Sequence, residues 1–372
     1  MRLLPIPSVR PGMRLGKAIV SDEGKTLLGD GMELTQGLIH KLRQLGYHQL
    51  YVVDPRTEDI VTHEPLRDET LRFVRTNLIG LFQQLQRGGL ATPADRKRFS
   101  ATAERSIQLI MEDLNDRYSP DEDTVMLLHS NRRHFTMVEH FFHNALNVCV
   151  YAARIAMLEH YDEENTVAFS MGALLHDIGN TQISPALLQK ASALSPLEYA
   201  EIQKHTEFGY RLLKDLPGVP PLSAFCALQH HEKIDGTGYP DALTGPDIHP
   251  FALWVGMLDA YDAMTNPRPY RPAISPDHAL ELLFTSAGTH YPKAQVEYFR
   301  NRVAIYPLGV SVRLSTGETG IVCKINLARH RPVVRVLTNP KGEDLCTPYE
   351  IDLSRHLHIM IHRVGEEALV HS

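Results

Sequence analysis

The chain opens on short apolar runs separated by turn residues. Lys17-Ala-Ile-Val20 and Thr26-Leu-Leu28 read as strands on either side of Asp22-Glu-Gly24, and Gln49-Leu-Tyr-Val-Val53 as a strand ended by Asp54-Pro55. Between them Leu38, Ile39, Leu42 and Leu45 recur at helical spacing, with Thr35 as a candidate N-cap and Gly46 as a stop. This pattern predicts a small α/β module over residues 1–65, free of chemical motifs and suited to regulation or dimerisation. Residues 66–130 are helical in pattern and mostly polar, interrupted near Gly88-Gly89 and Thr92-Pro93, and predict a helical connector.

Residues 131–305 carry apolar positions at three-to-four spacing through Leu146–Ala156, Ala168–Leu175 and Ala279–Leu283, which predicts a mainly α domain. After Tyr306-Pro307 the period drops to two. Gly309–Leu314, Thr319–Lys324 and Pro332–Leu337 read as strands joined by Ser315-Thr-Gly317 and Asn339-Pro-Lys-Gly342, a small antiparallel β extension over residues 306–372.

Composition narrows the class. At 372 residues the chain exceeds the roughly 150 residues of a typical domain, consistent with several segments. A net charge of −6 argues against a general nucleic-acid partner, which carries a basic excess. It does not oppose a small phosphate ester, because bound divalent metals supply local positive charge. Cys149, Cys226, Cys323 and Cys346 are spread without a C-x-x-C pair, so neither a zinc finger nor a disulfide framework is expected, and a reducing cytoplasm fits. The N-terminus has no signal-like apolar stretch, and the run from Ala145 to Met157 is broken by Asn147 and Arg154, so no membrane partner is expected.

The unusual feature is 20 histidines, several of them clustered in the middle third. His176-Asp177 ends an apolar helical run, and a His-Asp dipeptide there offers a neutral nitrogen and a hard oxygen to Fe, Mn, Ni or Zn. Alone it is weak, since such dipeptides are common. His205 follows on a helical segment. The pair His230-His231 precedes a glycine-rich turn, and two adjacent imidazoles are poor core material without partners. Asp259 sits in an apolar helix, where a carboxylate is costly unless a cation compensates it. Together these six residues can ligate two metals, with Asp177 bridging.

Here the sequence resembles the HD-GYP family, a branch of the HD metal-dependent phosphohydrolases. The resemblance covers about residues 140–275: H-D-I-G-x at 176–180, K-H-x-x-x-G at 204–209, H-H-E-x-x-D-G-x-G-Y-P at 230–240, D-A-x-D-A at 259–263 and R-P-Y-R at 268–271. It implies a helical HD-type core, two or three divalent ions (Fe or Mn), and hydrolysis of cyclic di-GMP to pGpG and GMP. It makes His176, Asp177, His205, His230, His231 and Asp259 metal ligands, with His176 and Asp177 at the catalytic centre. It also places Arg268 near a substrate phosphate, and Tyr239 in a loop that borders the site and meets partners such as GGDEF-type signalling proteins. A homodimer is a further expectation.

Two departures stand out. Asn180 replaces a family lysine that holds substrate phosphate; Lys190 and Lys233 are candidates to compensate in part. The family's upstream His falls, by register to Asn147-Val148, on Asn144, with His143 one residue early, a rotation of about 100° on a helix. Either Asn144 occupies the ligand position, or a π-bulge brings His143 in. Glu139, four residues before His143, shares its face and suits a third metal. Asp262 is a candidate to orient a ligand, with a surface or capping role as the alternative. The competing functional reading is a cyclic di-GMP sensor or protein-interaction module without turnover.

Overall fold

The computed structural model describes residues 1–20, 26–60, 64–118, 124–125, 137–190, 192–266 and 273–365. The Asp22–Gly24 turn and the Arg268–Arg271 segment therefore lie outside the described residues. About half the chain is helical, and it divides into two compact units. The described residues up to Glu64 join those from Asn301 onward in one; those between Pro65 and Arg300 form the other.

In the first unit, β1 (Arg2–Pro5) pairs antiparallel with β4 (Gln49–Val52), and β2 (Ile19–Val20) with β3 (Thr26–Leu28). Between them α1 (Gln36–Gln44) starts where the Thr35 hydroxyl accepts from Leu38 N at 3.3 Å, satisfying one of the unbonded first-turn amides. Leu4, Ile6, Leu15, Leu34, Leu42 and Leu50 form its core. The C-terminal part is a five-stranded antiparallel sheet: β5 (Ser311–Leu314), β6 (Thr319–Lys324), β7 (Val333–Thr338), β8 (Asp344–Asp352) and β9 (Ile361–Val364), in the order β8-β7-β6-β5-β9. The edge strand β8 is mostly exposed and mostly polar, so the alternation that signals a half-buried strand is missing there.

The pattern along the chain separates the first module from the β extension, but the structure joins them. The Ser311 hydroxyl donates to the Leu3 carbonyl at 3.0 Å across 308 residues, and Leu3 N donates to Gly309 O at 3.1 Å. Arg335 holds both oxygens of Asp59 at 2.6 Å and reaches Glu350 at 2.6 Å, and its charge draws the Asp59 carboxyl down to about 2.

The second unit is helical. α2 (Asp68–Gly88) and α3 (Pro93–Arg117) are the connector helices, α3 opening on a capping box between Thr92 and Asp95. They pack on the central helices rather than standing apart. There follow α4 (Met137–Leu158), α5 (Glu163–Leu175), α6 (Pro185–Leu188), α7 (Pro196–Gln203), α8 (His205–Leu213), α9 (Pro221–Gln229), α10 (Pro250–Thr265), α11 (Pro276–Thr285) and α12 (Lys293–Arg302). Proline opens α3, α6, α7, α9, α10 and α11, at a position where its missing N–H costs no helical hydrogen bond.

Helices α4, α5, α9 and α10 pack together around buried Leu146, Tyr151, Phe169, Met171, Ala227 and Leu258. Within α4, Val138–Leu158 is long and apolar enough to cross a membrane by composition, although the sequence reading took Asn147 and Arg154 to interrupt this run; 78% of its most apolar window is buried inside the protein. Burial of both faces explains that composition, as for any helix at the centre of a bundle.

Candidate metal centre

Each site residue is delivered by the end or inner face of a helix. His176 caps α5, and Asp177 leads into a short 3-10 turn, Ile178–Gln182. His205 is the first residue of α8, His230 caps α9 with His231 next, and Asp259 lies in α10. Two glycines let these backbones meet. A Cβ on Gly179 would lie 1.9 Å from His205 O, and one on Gly256 2.1 Å from His230 O, so no other residue fits either position without moving a ligand-bearing backbone.

The ring orientations are fixed by backbone carbonyls. His176 Nδ1 is 2.8 Å from Ala173 O, His205 Nδ1 2.7 Å from Ile202 O, and His230 Nδ1 3.0 Å from Cys226 O. A carbonyl only accepts, so each Nδ1 bears a proton, and each ring in its neutral form turns an Nε2 lone pair inward, the arrangement metal-ligating histidines use.

The inward atoms converge in two sets that share Asp177. On one side, single donor atoms of Asp177, His205, His230 and His231 all lie within 4.8 Å of one another. Asp177 Oδ1 is 3.2 Å from His205 Nε2 and 3.6 Å from His230 Nε2. On the other side, His176 Nε2 is 3.8 Å from Asp177 Oδ2 and 3.8 Å from Asp259 Oδ1. That Nε2 is buried and has no hydrogen-bond partner, an arrangement that is costly unless a cation fills the gap. Four imidazoles and two carboxylates converging in this way fit divalent metal ions.

The electrostatics agree. Burial opposes charge on Asp177, yet His176, His205 and His230 hold its carboxyl well below the usual carboxylate range. Burial likewise opposes charge on His176, but Asp177 and Asp259 outweigh it and push its pKa up to about 9, so their negative charge draws a cation, proton or metal, to the inward Nε2. Burial, with His230 and His205 alongside, holds His231 well below the ordinary imidazole value. Burial also lowers His230. The Asp177 side chain keeps 21% of its surface open, enough for a ligand to reach it from solvent.

Behind Asp259 stands an amide network. Asn144 Nδ2 donates to Asp259 Oδ1 at 2.8 Å and to Asp262 Oδ2 at 3.0 Å. Asp262 is buried and also accepts from Asn147 Nδ2 (2.7 Å) and Asn266 Nδ2 (2.8 Å), so it orients the site and is no surface residue. Of the two expectations for α4, the π-bulge is absent: Met137–Leu158 runs as an unbroken α-helix and Asn144 faces Asp259. His143 and Glu139 are not part of the four-residue donor cluster. The Glu139 carboxylate is instead engaged by Arg75 Nη2 at 2.6 Å, and the His143 ring lies edge-on to Phe142.

Among the residues expected to bind substrate, Tyr239 stacks on His231 with centroids 4.6 Å apart and an interplanar angle of 24°. Asn180 is buried in the 3-10 turn beside Asp177. Lys190 does not compensate for it, because its Nζ is held at 2.7 Å by both oxygens of Glu198. Lys233 is partly exposed in the loop after His231, and Arg268 lies outside the described residues.

The residue the sequence reading passed over is Glu232. It is buried and accepts from Asp241 N at 2.7 Å and Leu243 N at 2.9 Å, clamping the loop that carries Tyr239. It stands in the H-H-E-x-x-D-G-x-G-Y-P stretch at 230–240, where no role of its own was assigned to it.

Residues 126–294 match the family model described as HD domain. This part of the chain is an HD domain. Residues 311–371, which include β5–β9, match a KOW domain associated with HD domain. The chain is similar to the cyclic di-GMP phosphodiesterase PA4108 of Pseudomonas aeruginosa, 30% identical over 225 residues, covering 59% of this chain and 53% of that protein. It is also similar to the cyclic di-GMP phosphodiesterase response regulator RpfG of Xanthomonas campestris pv. campestris, 32% identical over 161 residues and 43% of each chain. Among solved structures, Bd1817, a HDG"Y"P protein from Bdellovibrio bacteriovorus, aligns over 80% of this chain and 97% of its own at 16% identity, with a TM-score of 0.46. The chain thus spans about half the length, or less, of the curated relatives it matches.

Proposed function

We propose that this chain is a metal-dependent phosphodiesterase that hydrolyses cyclic di-GMP to pGpG, GMP or both in bacterial second-messenger signalling. The observation that carries the reading is Asp177, whose two oxygens each face a separate set of inward-turned histidine nitrogens. The names of the two curated relatives support the substrate. Two divalent ions, Fe or Mn, suit the mixture of imidazole and carboxylate donors.

When bound, such ions lower the pKa of water and neutralise charge growing on phosphate oxygens. The protein's own share is positional. His205, His230 and His231 would hold one ion and His176 and Asp259 the other, with Asp177 available to both. The backbone carbonyls behind the rings prevent rotation, so little reorganisation is needed as charge develops. Tyr239 covers His231 and Glu232 holds that cover in place, which restricts water at this side of the site. Arg268 and Lys233 are the cations proposed to meet the substrate's phosphates in place of the residue that Asn180 replaces.

A second reading is a cyclic di-GMP sensor that binds without turnover, favoured by Asn144 bonding to Asp259 and by the uncharged Asn180. One experiment separates the two. Protein purified without oxygen and loaded with Mn²⁺ or Fe²⁺ is incubated with cyclic di-GMP, with 3'3'-cGAMP run in parallel, and products are resolved by chromatography. Appearance of pGpG or GMP supports the phosphodiesterase; tight cyclic di-GMP binding with no product supports the sensor. Turnover of 3'3'-cGAMP alone overturns the proposed substrate.

A further inference from the structure

The two donor sets around Asp177 are not equivalent. The first offers three imidazoles and a carboxylate oxygen from Asp177, His205, His230 and His231. Among the described residues, the second brings together one imidazole, His176, and one oxygen each from Asp177 and Asp259. The same Asp259 oxygen already accepts a hydrogen bond from Asn144.

Asn144 cannot make up the shortfall by ligating. Both of its Nδ2 hydrogens are used, one on Asp259 and one on Asp262, which fixes the amide with its nitrogen toward the site. An amide NH₂ has no lone pair for a metal. Nor can the amide swing away at low cost. Asn144 is buried, and Asp262 is locked in turn by Asn147 and Asn266.

We propose that Asn144 makes the two metal positions unequal, so that the position at His205, His230 and His231 fills first and that at His176 and Asp259 fills only at higher metal concentration. This rests on the metal-dependent reading above. The amide acts in two ways: it takes the place in α4 from which a side chain meets Asp259, and it draws electron density from the oxygen a cation would use. Mutating groups hydrogen-bonded to metal ligands changes affinity by about 10- to 100-fold, so a change at Asn144 is large enough to be read in a titration.

The test is calorimetric titration of the metal-free full chain with Mn²⁺ alone, paired with electron paramagnetic resonance of the bound ion. The wild type is expected to bind one equivalent tightly and a second about tenfold or more weakly, with a coupled two-manganese signal only after excess metal. Asn144→His is expected to tighten the second equivalent, leaving the first unchanged. Should that variant not fold, Asp259→Asn serves instead, and is expected to lose the weak equivalent and keep the tight one.

Two equal equivalents in the wild type overturn the proposal. So does an unchanged second equivalent in folded Asn144→His, or loss of the tight equivalent alone in Asp259→Asn. These outcomes are separate from those for hydrolysis. Unequal binding without product leaves this inference standing and sinks the phosphodiesterase reading, whereas equal binding with product does the reverse.

Discussion

The Nε2 atoms of His205 and His230 stand 3.3 Å apart, while both Nδ1 atoms are bonded to backbone carbonyls. In neutral rings so arranged, two lone pairs face each other, with Asp177 Oδ1 3.2 Å from the first. Three acceptors brought that close repel one another until a cation sits between them. A proton can satisfy one pair; a metal ion satisfies all three. Two imidazole nitrogens at about 2.1 Å from a tetrahedrally bound ion would be roughly 3.4 Å apart, close to the separation seen.

The first prediction concerns the shared carboxylate. Asp177→Ala should strip metal from both sets and reduce hydrolysis to background. Metal content by mass spectrometry and product chromatography check it together. Full activity in this variant would falsify the shared-ligand arrangement.

Metal should also stabilise the fold, because a site assembled from four helices is lost on unfolding. Free metal at about 100 times its Kd contributes about 2.7 kcal/mol. In a unit of this size that is a Tm rise of about 5–10 °C. Thermal scans with Mn²⁺ and with chelator measure it; coincident scans would count against binding to the native state.

Glu232 should hold the Tyr239 loop more than it serves chemistry. Glu232→Ala leaves the amides of Asp241 and Leu243 without their acceptor, at about 0.5–1.5 kcal/mol for each hydrogen bond lost at these partly exposed positions. A lower Tm and a raised KM with less change in kcat are expected. A fall in kcat alone, at wild-type Tm, would point to a direct role instead.

At Gly256 the fit is a matter of backbone contact. Gly256→Ala places a methyl group 2.1 Å from His230 O, a clash relieved only by moving α9 or α10. Overpacking of this kind costs about 1–3 kcal/mol or more, and here the strain falls on a metal ligand. Weaker Mn²⁺ binding should accompany the lower Tm; destabilisation with unchanged metal affinity would separate the two.

Acid should loosen the unit built from the chain's two ends. Arg335 lowers the Asp59 pKa from an ordinary 3.8 to about 2, so the folded state favours the ionised carboxylate. That contribution is present above pH 4 and is lost as the pH falls through 4 toward 2. It is modest, because Asp59 is largely exposed. Asp59→Asn should lower the urea midpoint at pH 6, with the difference from wild type shrinking below pH 4. A constant difference across that range would rule the pair out as the cause.

The local elements were legible because their signals are local. Thr35 capping α1, the break between α2 and α3 at Gly88–Pro93, and three of the five sheet strands follow from caps, breakers and periodicity. The edge strands β8 and β9 were not: at an edge most side chains face water, and the alternation fades. The donor set His176, Asp177, His205, His230, His231 and Asp259 was also legible, since paired histidines and carboxylates in apolar helices are poor core material on any other reading.

What the sequence determined by itself was therefore the mainly α class, the elements and the chemistry of the donors. Tertiary structure decided how those donors are shared out. Each Nδ1 is held locally, by a carbonyl three or four residues back in α5, α7 or α9, but only packing brings the Nε2 atoms of His205 and His230 to Asp177. That Asn144 meets Asp259 depends on the rotation of α4 against α10, and the bond spans 115 residues. Spacing along a helix says which residues share a face; only packing says what that face meets.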